Sequence, residues 1–168
     1  RVLPPTGLPV WARKWNAELR AFQSWRETGH IVILALFDER VVLRSVLARS
    51  IDRQSSCKSL APSGFARSGL VMADVFGRLL LHLGALPEWW PADRELRVVV
   101  AEGEIDLLAW ATSFSEADEH APAVLGIVSG SWTDEIAARV PDGTTVVIAT
   151  DNDATGVKYA NHIAQTLN

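Results

Sequence analysis

Thr145–Gly156 reads TVVIATDNDATG, and the fold turns on how this stretch is taken. Val146, Val147 and Ile148 form a short β-branched run of the kind that makes a strand buried on both faces. Asp151 and Asp153 follow it with Asn152 between them, and residues two apart in extended backbone point to the same side. Gly156 is expected to let the chain turn, after which Val157–Leu167 has helical spacing. Two acids at the carboxyl end of a strand, ahead of a glycine turn, suit a hard divalent cation.

A third ligand is supplied by Val98–Asp106. Val98–Ala101 is a second buried-strand run, ended by Glu102 and Gly103, with Glu104 and Asp106 following. The grammar is the same: strand, acid, glycine, helix. If the two strands are parallel neighbours, Glu102 comes up beside Asp151 and Asp153 at one sheet edge. Like charges about 4 Å apart at an effective dielectric near 20 repel by roughly 4 kcal/mol per pair. A cation is the natural answer to such a cluster, which would otherwise take up protons.

VVVAEGEID followed by VVIATDNDATG resembles the Toprim domain, in which a glutamate follows one strand and Asp-x-Asp a later one. The first motif is most similar to the bacterial DnaG-like primase branch, whose Glu-Gly-x-x-Asp is matched by Glu102, Gly103 and Asp106. The second matches that branch's Asp-x-Asp-x-x-Gly at Asp151, Asp153 and Gly156. Topoisomerases of the superfamily usually carry another acid before that glycine, where Thr155 stands here. The resemblance extends upstream. IVILALFDERVVLRSVLARSID and KSLAPSGF are similar to the segment preceding Toprim in these primases, placing Arg49 and Lys58 at its basic positions. The loop departs from the family pattern, since Cys57–Ala61 lacks the family's proline, tyrosine and asparagine.

Bulk properties frame this reading. The chain has 168 residues, 48% hydrophobic and 21% charged, as a globular protein with a proper core does. No apolar run approaches membrane-spanning length, and no secretory signal is visible. A single cysteine, Cys57, excludes an internal disulfide and a multi-cysteine zinc site, and is compatible with a cytoplasmic setting. The four histidines are scattered, so the zinc module usual in bacterial primases has no counterpart here. Charge is uneven: residues 1–97 hold 14 Lys+Arg against 9 Asp+Glu, and residues 98–168 hold 2 against 11. A basic half beside an acidic one suits an enzyme that meets phosphates with one surface and catalytic cations with another. Chance variation on solvated faces gives the same count.

Along the chain, Arg1–Pro9 reads as an irregular lead-in. Trp11, Trp15, Leu19 and Phe22 have the spacing of one helical face, predicting a helix over Val10–Arg26 packed on the core, with base stacking as the alternative. His30–Phe37 and Val41–Ile51 form a predicted hairpin whose return strand carries Arg44 and Arg49. A polar loop, Asp52–Arg67, brings Arg53, Lys58 and Arg67. A short strand follows at Leu70–Ala73, then a helix capped by Asp74 and stopped by Gly84. The Pro- and Trp-containing Leu86–Glu95 reads as a linker. Beyond it, strands at Leu96–Ala101, Ala123–Val128 and Thr145–Thr150 alternate with helices at Ile105–Phe114, Trp132–Arg139 and Gly156–Leu167. Alternation of this kind predicts a parallel sheet with right-handed crossovers. Ser129–Ser131 is a plain turn or a weak binding loop.

The expected fold is therefore α/β: a Toprim-type parallel sheet flanked by helices over residues 96–168, preceded by a smaller α+β lobe with a β-hairpin over residues 1–86. Residues 87–95 are the linker, and the Toprim part is expected to be truncated at its C-terminal end. The resemblance implies a primase core making short RNA primers on single-stranded DNA from nucleoside triphosphates. A replicative helicase domain or protein is an expected partner. Mg²⁺ or Mn²⁺ would be held by Glu102, Asp151 and Asp153, with Asp106 as an additional ligand. Arg44, Arg49, Lys58 and Arg67 would meet nucleotide or template phosphates. The alternatives are a Toprim metal-dependent nuclease using the same acids, and a non-catalytic nucleic-acid-binding fragment.

Overall fold

The computed structural model describes residues 8–65, 67–85, 88, 95–114, 118, 120–128 and 131–167. Its contacts divide the chain into two units, Arg1–Leu36 with Arg44–Ala66, and Phe37–Leu43 with Arg67–Asn168. Most of the expected linker, much of the Ser129–Ser131 loop and most of the lead-in lie outside the described residues.

The first unit is built from strands. β1 (Arg13–Asn16) and β2 (Ala21–Ser24) pair antiparallel, with Trp15 opposite Phe22 and Arg13 opposite Ser24. This hairpin replaces the helix predicted over Val10–Arg26. Asn16 decides the matter locally: its Oδ1 accepts from the N–H groups of Glu18 and Leu19 at 3.0 Å, closing the tip. Trp15, Leu19 and Phe22 are all exposed, so the expected apolar stripe is not a core face. The hairpin is anchored by its other side, where Ala12 and Trp25 are buried with Ala48.

β3 (His30–Phe37), β4 (Leu43–Ser50) and β5 (Ser59–Leu60) form a three-stranded sheet in that order, as the predicted hairpin requires. Buried His30 fixes the loop beyond β4: its Nε2 lies 2.9 Å from the Cys57 carbonyl, and its Nδ1 2.9 Å from Thr28 Oγ1. A carbonyl only accepts, so Nε2 carries the proton in that contact.

In the second unit, β6 (Met72–Ala73), β7 (Arg97–Glu102), β8 (Ala123–Ile127) and β9 (Thr145–Ala149) form one sheet, ordered β6-β8-β7-β9. β7 is parallel to both β8 and β9, and β6 is antiparallel to β8. The helices are α1 (Val75–Leu83), α2 (Gly103–Ser113), α3 (Asp134–Ala137) and α4 (Ala154–Thr166). The run at Val98–Ala101 is buried on both faces as predicted, with Val98, Val99 and Val100 at most 2% exposed. The run at Val146–Ile148 is not: β9 is the edge strand of the sheet and Val147 is 43% exposed. The core adds Leu80, Leu81, Leu125, Ile127, Ile136 and Ile163. No helix among the described residues is long and apolar enough to cross a membrane.

Residues 67–85 pack with this second unit, although the sequence groups them with the preceding lobe. Asp74 provides the reason. Its Oδ1 accepts from Gly77 N–H at 2.6 Å, capping α1, and from Val124 N–H of β8 at 3.0 Å. At the other end of α1, Arg139 donates to the carbonyls of Leu81 (2.6 Å) and His82 (2.7 Å). α3 is shorter than the predicted Trp132–Arg139 helix, because Thr133 caps it and Trp132 is buried ahead of it, its indole N–H donating to Thr166 Oγ1 at 2.8 Å.

Candidate metal centre

The parallel pairing of β7 with β9 sets Val100 opposite Ile148 and Ala101 opposite Ala149. The two acid-bearing ends therefore leave the sheet side by side, at the carboxyl edge where α/β proteins place their ligands. Glu102 is the last residue of β7, and its Oε2 accepts from the backbone N–H of Asp151 at 2.9 Å. That bond ties the first motif to the second across 49 residues of sequence. Gly103 follows at φ +84°, a left-handed conformation that glycine adopts without steric cost, and this bend starts α2 directly at the sheet edge.

Asp153 is the N-cap of α4. Its Oδ1 accepts from Thr155 N–H and Gly156 N–H, both at 2.8 Å. Gly156 is not the turn that the sequence suggests, since α4 already begins at Ala154. It is needed for a different reason: a Cβ there would lie 2.0 Å from the Asp151 carbonyl oxygen and 2.8 Å from its carbon. The first turn of α4 sits directly against the Asp151 backbone, and only glycine fits. Asp151, Asn152 and Asp153 are exposed.

The remaining sequence-derived residues fall as follows. Asp106 is half-buried in the first turn of α2, and Glu104 in the same turn is only 7% exposed. Glu104 is the most enclosed acid at this end of the sheet, and its place directly after the Glu-Gly pair was its signal. In the first unit, Arg49 of β4 pairs in register with Ser59 of β5, and Ser50 N–H donates to the Lys58 carbonyl at 2.8 Å. Arg49 and Lys58 are thus brought to adjoining backbones. Lys58 is exposed, with Nζ donating to the Arg53 carbonyl at 2.6 Å, while Arg49 is half-buried. Arg44 is exposed on β4. Arg67 is exposed too, but belongs to the second unit.

The expected tight cluster of acids is not assembled. Among the described residues, no three or more His, Cys, Asp or Glu side chains are grouped so as to hold a metal ion. The physical reason is visible in the bonds: Glu102 and Asp153 each commit one oxygen to backbone N–H groups. Carboxylate oxygens as a class suit a hard divalent cation rather than a soft metal.

Residues 99–168 match the family model described as Toprim-like, which spans both acid motifs. No curated protein matches the chain. Two solved structures share its fold. One is described as the structure of the DnaG catalytic core, with 17% identity, a TM-score of 0.51, and 80% of this chain covered. The other is the DnaG primase catalytic domain bound to single-stranded DNA, with 16% identity, a TM-score of 0.53, and 92% covered. The matches span only 39% and 44% of those two chains. The fold is thus like that of the DnaG catalytic core, and the part that matches the Toprim-like model carries both acid motifs.

Proposed function

We propose that this chain is the metal-dependent part of a DnaG-like nucleotidyl-transfer core, extending short RNA primers on single-stranded DNA. The observation that carries the reading is the Glu102–Asp151 bond, which joins the glutamate of one motif to the Asp-x-Asp of the other at one sheet edge. Glu102, Asp151 and Asp153 would hold Mg²⁺ or Mn²⁺, with Asp106 supporting them from α2. When bound, such cations activate an attacking hydroxyl and neutralise the charge of a triphosphate and its leaving group.

The chain's own residues contribute position. Glu102 fixes the Asp151 backbone through one oxygen, and Asp153 is locked by its cap bonds, so neither carboxylate has to be ordered when a cation arrives. Arg49 and Lys58, brought to adjoining backbones, would meet phosphates of nucleotide or template, as would Arg44 and Arg67. Nucleoside triphosphates and a single-stranded template are the partners this reading requires.

The test is incorporation of labelled nucleotide on a single-stranded template, run beside a nuclease assay and a calorimetric Mn²⁺ titration. Glu102→Gln should abolish incorporation and weaken cation binding while leaving the fold intact. Incorporation at the wild-type rate would remove Glu102 from the chemistry and end the proposal. Strand cleavage without incorporation would favour a nuclease built on the same acids.

A further inference from the structure

The β1–β2 hairpin carries a feature the metal centre does not use. Strand alternation puts Arg13 and Trp15 on one face of β1, and the register adds Phe22 and Ser24 from β2, while Trp11 lies in the turn just ahead of β1. The opposite face is structural: Ala12 and Trp25 are each 2% exposed, and Asn16 Nδ2 donates to Gln23 Oε1 at 2.7 Å. By contrast, Trp11 is 51%, Trp15 52% and Phe22 55% exposed. These side chains are nevertheless held in order. The Trp15 and Phe22 rings meet edge to face at 5.1 Å, Trp11 meets buried Trp25 at 5.6 Å, and the Arg13 guanidinium lies over Phe22 at 4.4 Å.

Large aromatic rings left in water are unfavourable unless something covers them. The charges say what fits. Residues 10–28 include Arg13, Lys14, Arg20 and Arg26 against Glu18 and Glu27. Glu27 is exposed but bonded to Ser24, accepting from its N–H at 2.6 Å and its hydroxyl at 2.8 Å. Those bonds hold its carboxyl below the usual glutamate range, so it stays ionised and locally committed. An arginine stacked on one of two exposed rings, on a cationic hairpin, offers flat π-faces to bases and positive charge to phosphates.

We infer that the outer face of the β1–β2 hairpin binds single-stranded nucleic acid, stacking bases on Trp15 and Phe22 while Arg13 meets a phosphate. A duplex hides its base faces and should compete weakly. The surface would serve template binding in the proposed activity, yet it rests on hairpin residues alone and needs none of the carboxylates.

The experiment is a fluorescence-anisotropy titration of the full chain with a short labelled oligodeoxythymidine, without divalent cation. Trp15→Ala and Phe22→Ala should each weaken binding about tenfold, within the range of one lost base–aromatic stack, and Trp15→Phe should keep most of the affinity. Arg13→Gln should lower the slope of log K against log salt by about 0.7. Ultraviolet cross-linking of the wild type to the same oligonucleotide should label hairpin peptides. Wild-type affinity in both alanine variants, or cross-links confined to residues outside the hairpin, overturns the inference. So does a change from dimer to monomer in those variants with DNA affinity unchanged, which would make the face a protein contact. Glu102→Gln is the control that separates the two readings: it should bind the oligonucleotide as the wild type does, whatever it does to incorporation.

Discussion

Gly156→Ala is the substitution on which local and tertiary physics disagree most sharply. Gly156 is the third residue of α4, a helix of 13 residues, and by intrinsic propensity alanine there should stabilise by about 0.8–1 kcal/mol. The structure predicts the reverse. The new Cβ would stand 2.0 Å from the Asp151 carbonyl oxygen, 2.8 Å from its carbon and 3.0 Å from its nitrogen. All three are backbone atoms, so no rotamer change relieves the clash. The helix start and the 151–153 segment must part by more than 1 Å to reach an ordinary contact near 3.5 Å. Overpacking of this kind costs about 3 kcal/mol at the upper end of its usual range, which leaves a net loss of about 2 kcal/mol after the propensity gain. Urea unfolding would read this as a lower midpoint at unchanged slope. The displaced segment carries Asp151, so the Mn²⁺ titration should weaken as well. A Gly156→Ala protein more stable than the wild type would refute the close approach and the account of the motif glycine built on it.

Two further outcomes follow from single side chains of the second unit. Burial raises the Asp74 carboxyl above its ordinary value, against the lowering effect of its bonds from Val124 and Gly77 N–H and of Arg78. A carboxyl whose folded pKa is raised stabilises the fold most below the unfolded pKa, near 3.9, and that contribution is lost as pH rises through the folded pKa. Asp74→Asn keeps the acceptor oxygen and removes the charge, so wild-type stability should fall relative to the variant as pH is raised above the ordinary aspartate value of about 3.9 in urea midpoints; parallel curves would count against a charge penalty at this cap. Arg139→Ala removes two cationic donors from the C-terminal carbonyls of α1 and should cost about 1–2 kcal/mol in thermal melts, with Arg139→Lys intermediate.

What was legible in the chain divides along physical lines. β7 announces itself because a strand buried on both faces needs an apolar, β-branched run. β9 carries a similar run at the edge of the sheet with Val147 43% exposed, so the run predicts the strand and not its burial. The hairpin was illegible for a related reason. Trp11, Trp15, Leu19 and Phe22 satisfy a period of 3.6, but Trp11, Arg13 and Trp15 satisfy a period of 2 equally well, and hydrophobicity cannot choose between them when the face is not buried. Asn16, through its bonds to Glu18 and Leu19, was the deciding residue, and a lone asparagine inside an apparent helix carries little weight. At the sheet edge the residues were legible and their bonding was not. An aspartate just before a helix reads equally as a cap and as a ligand, and Asp153 caps with one oxygen while the other remains available.

That double use of carboxylates shapes how the site has to be probed. Glu102 has two separable properties, the acceptor that holds the Asp151 N–H and the negative charge that would attract a cation. Glutamine retains an acceptor oxygen at nearly the same place and deletes the charge; alanine deletes both and releases the end of β9 from the end of β7. If charge at the sheet edge is what matters, the glutamine form should lose cation binding as completely as the alanine form while unfolding at nearly the wild-type midpoint. If the position of Asp151 matters more, the glutamine form should keep most of its binding and only alanine should lose it. The bond between motifs thus turns a question about ligands into one about position, and the difference between two side chains at residue 102 answers it.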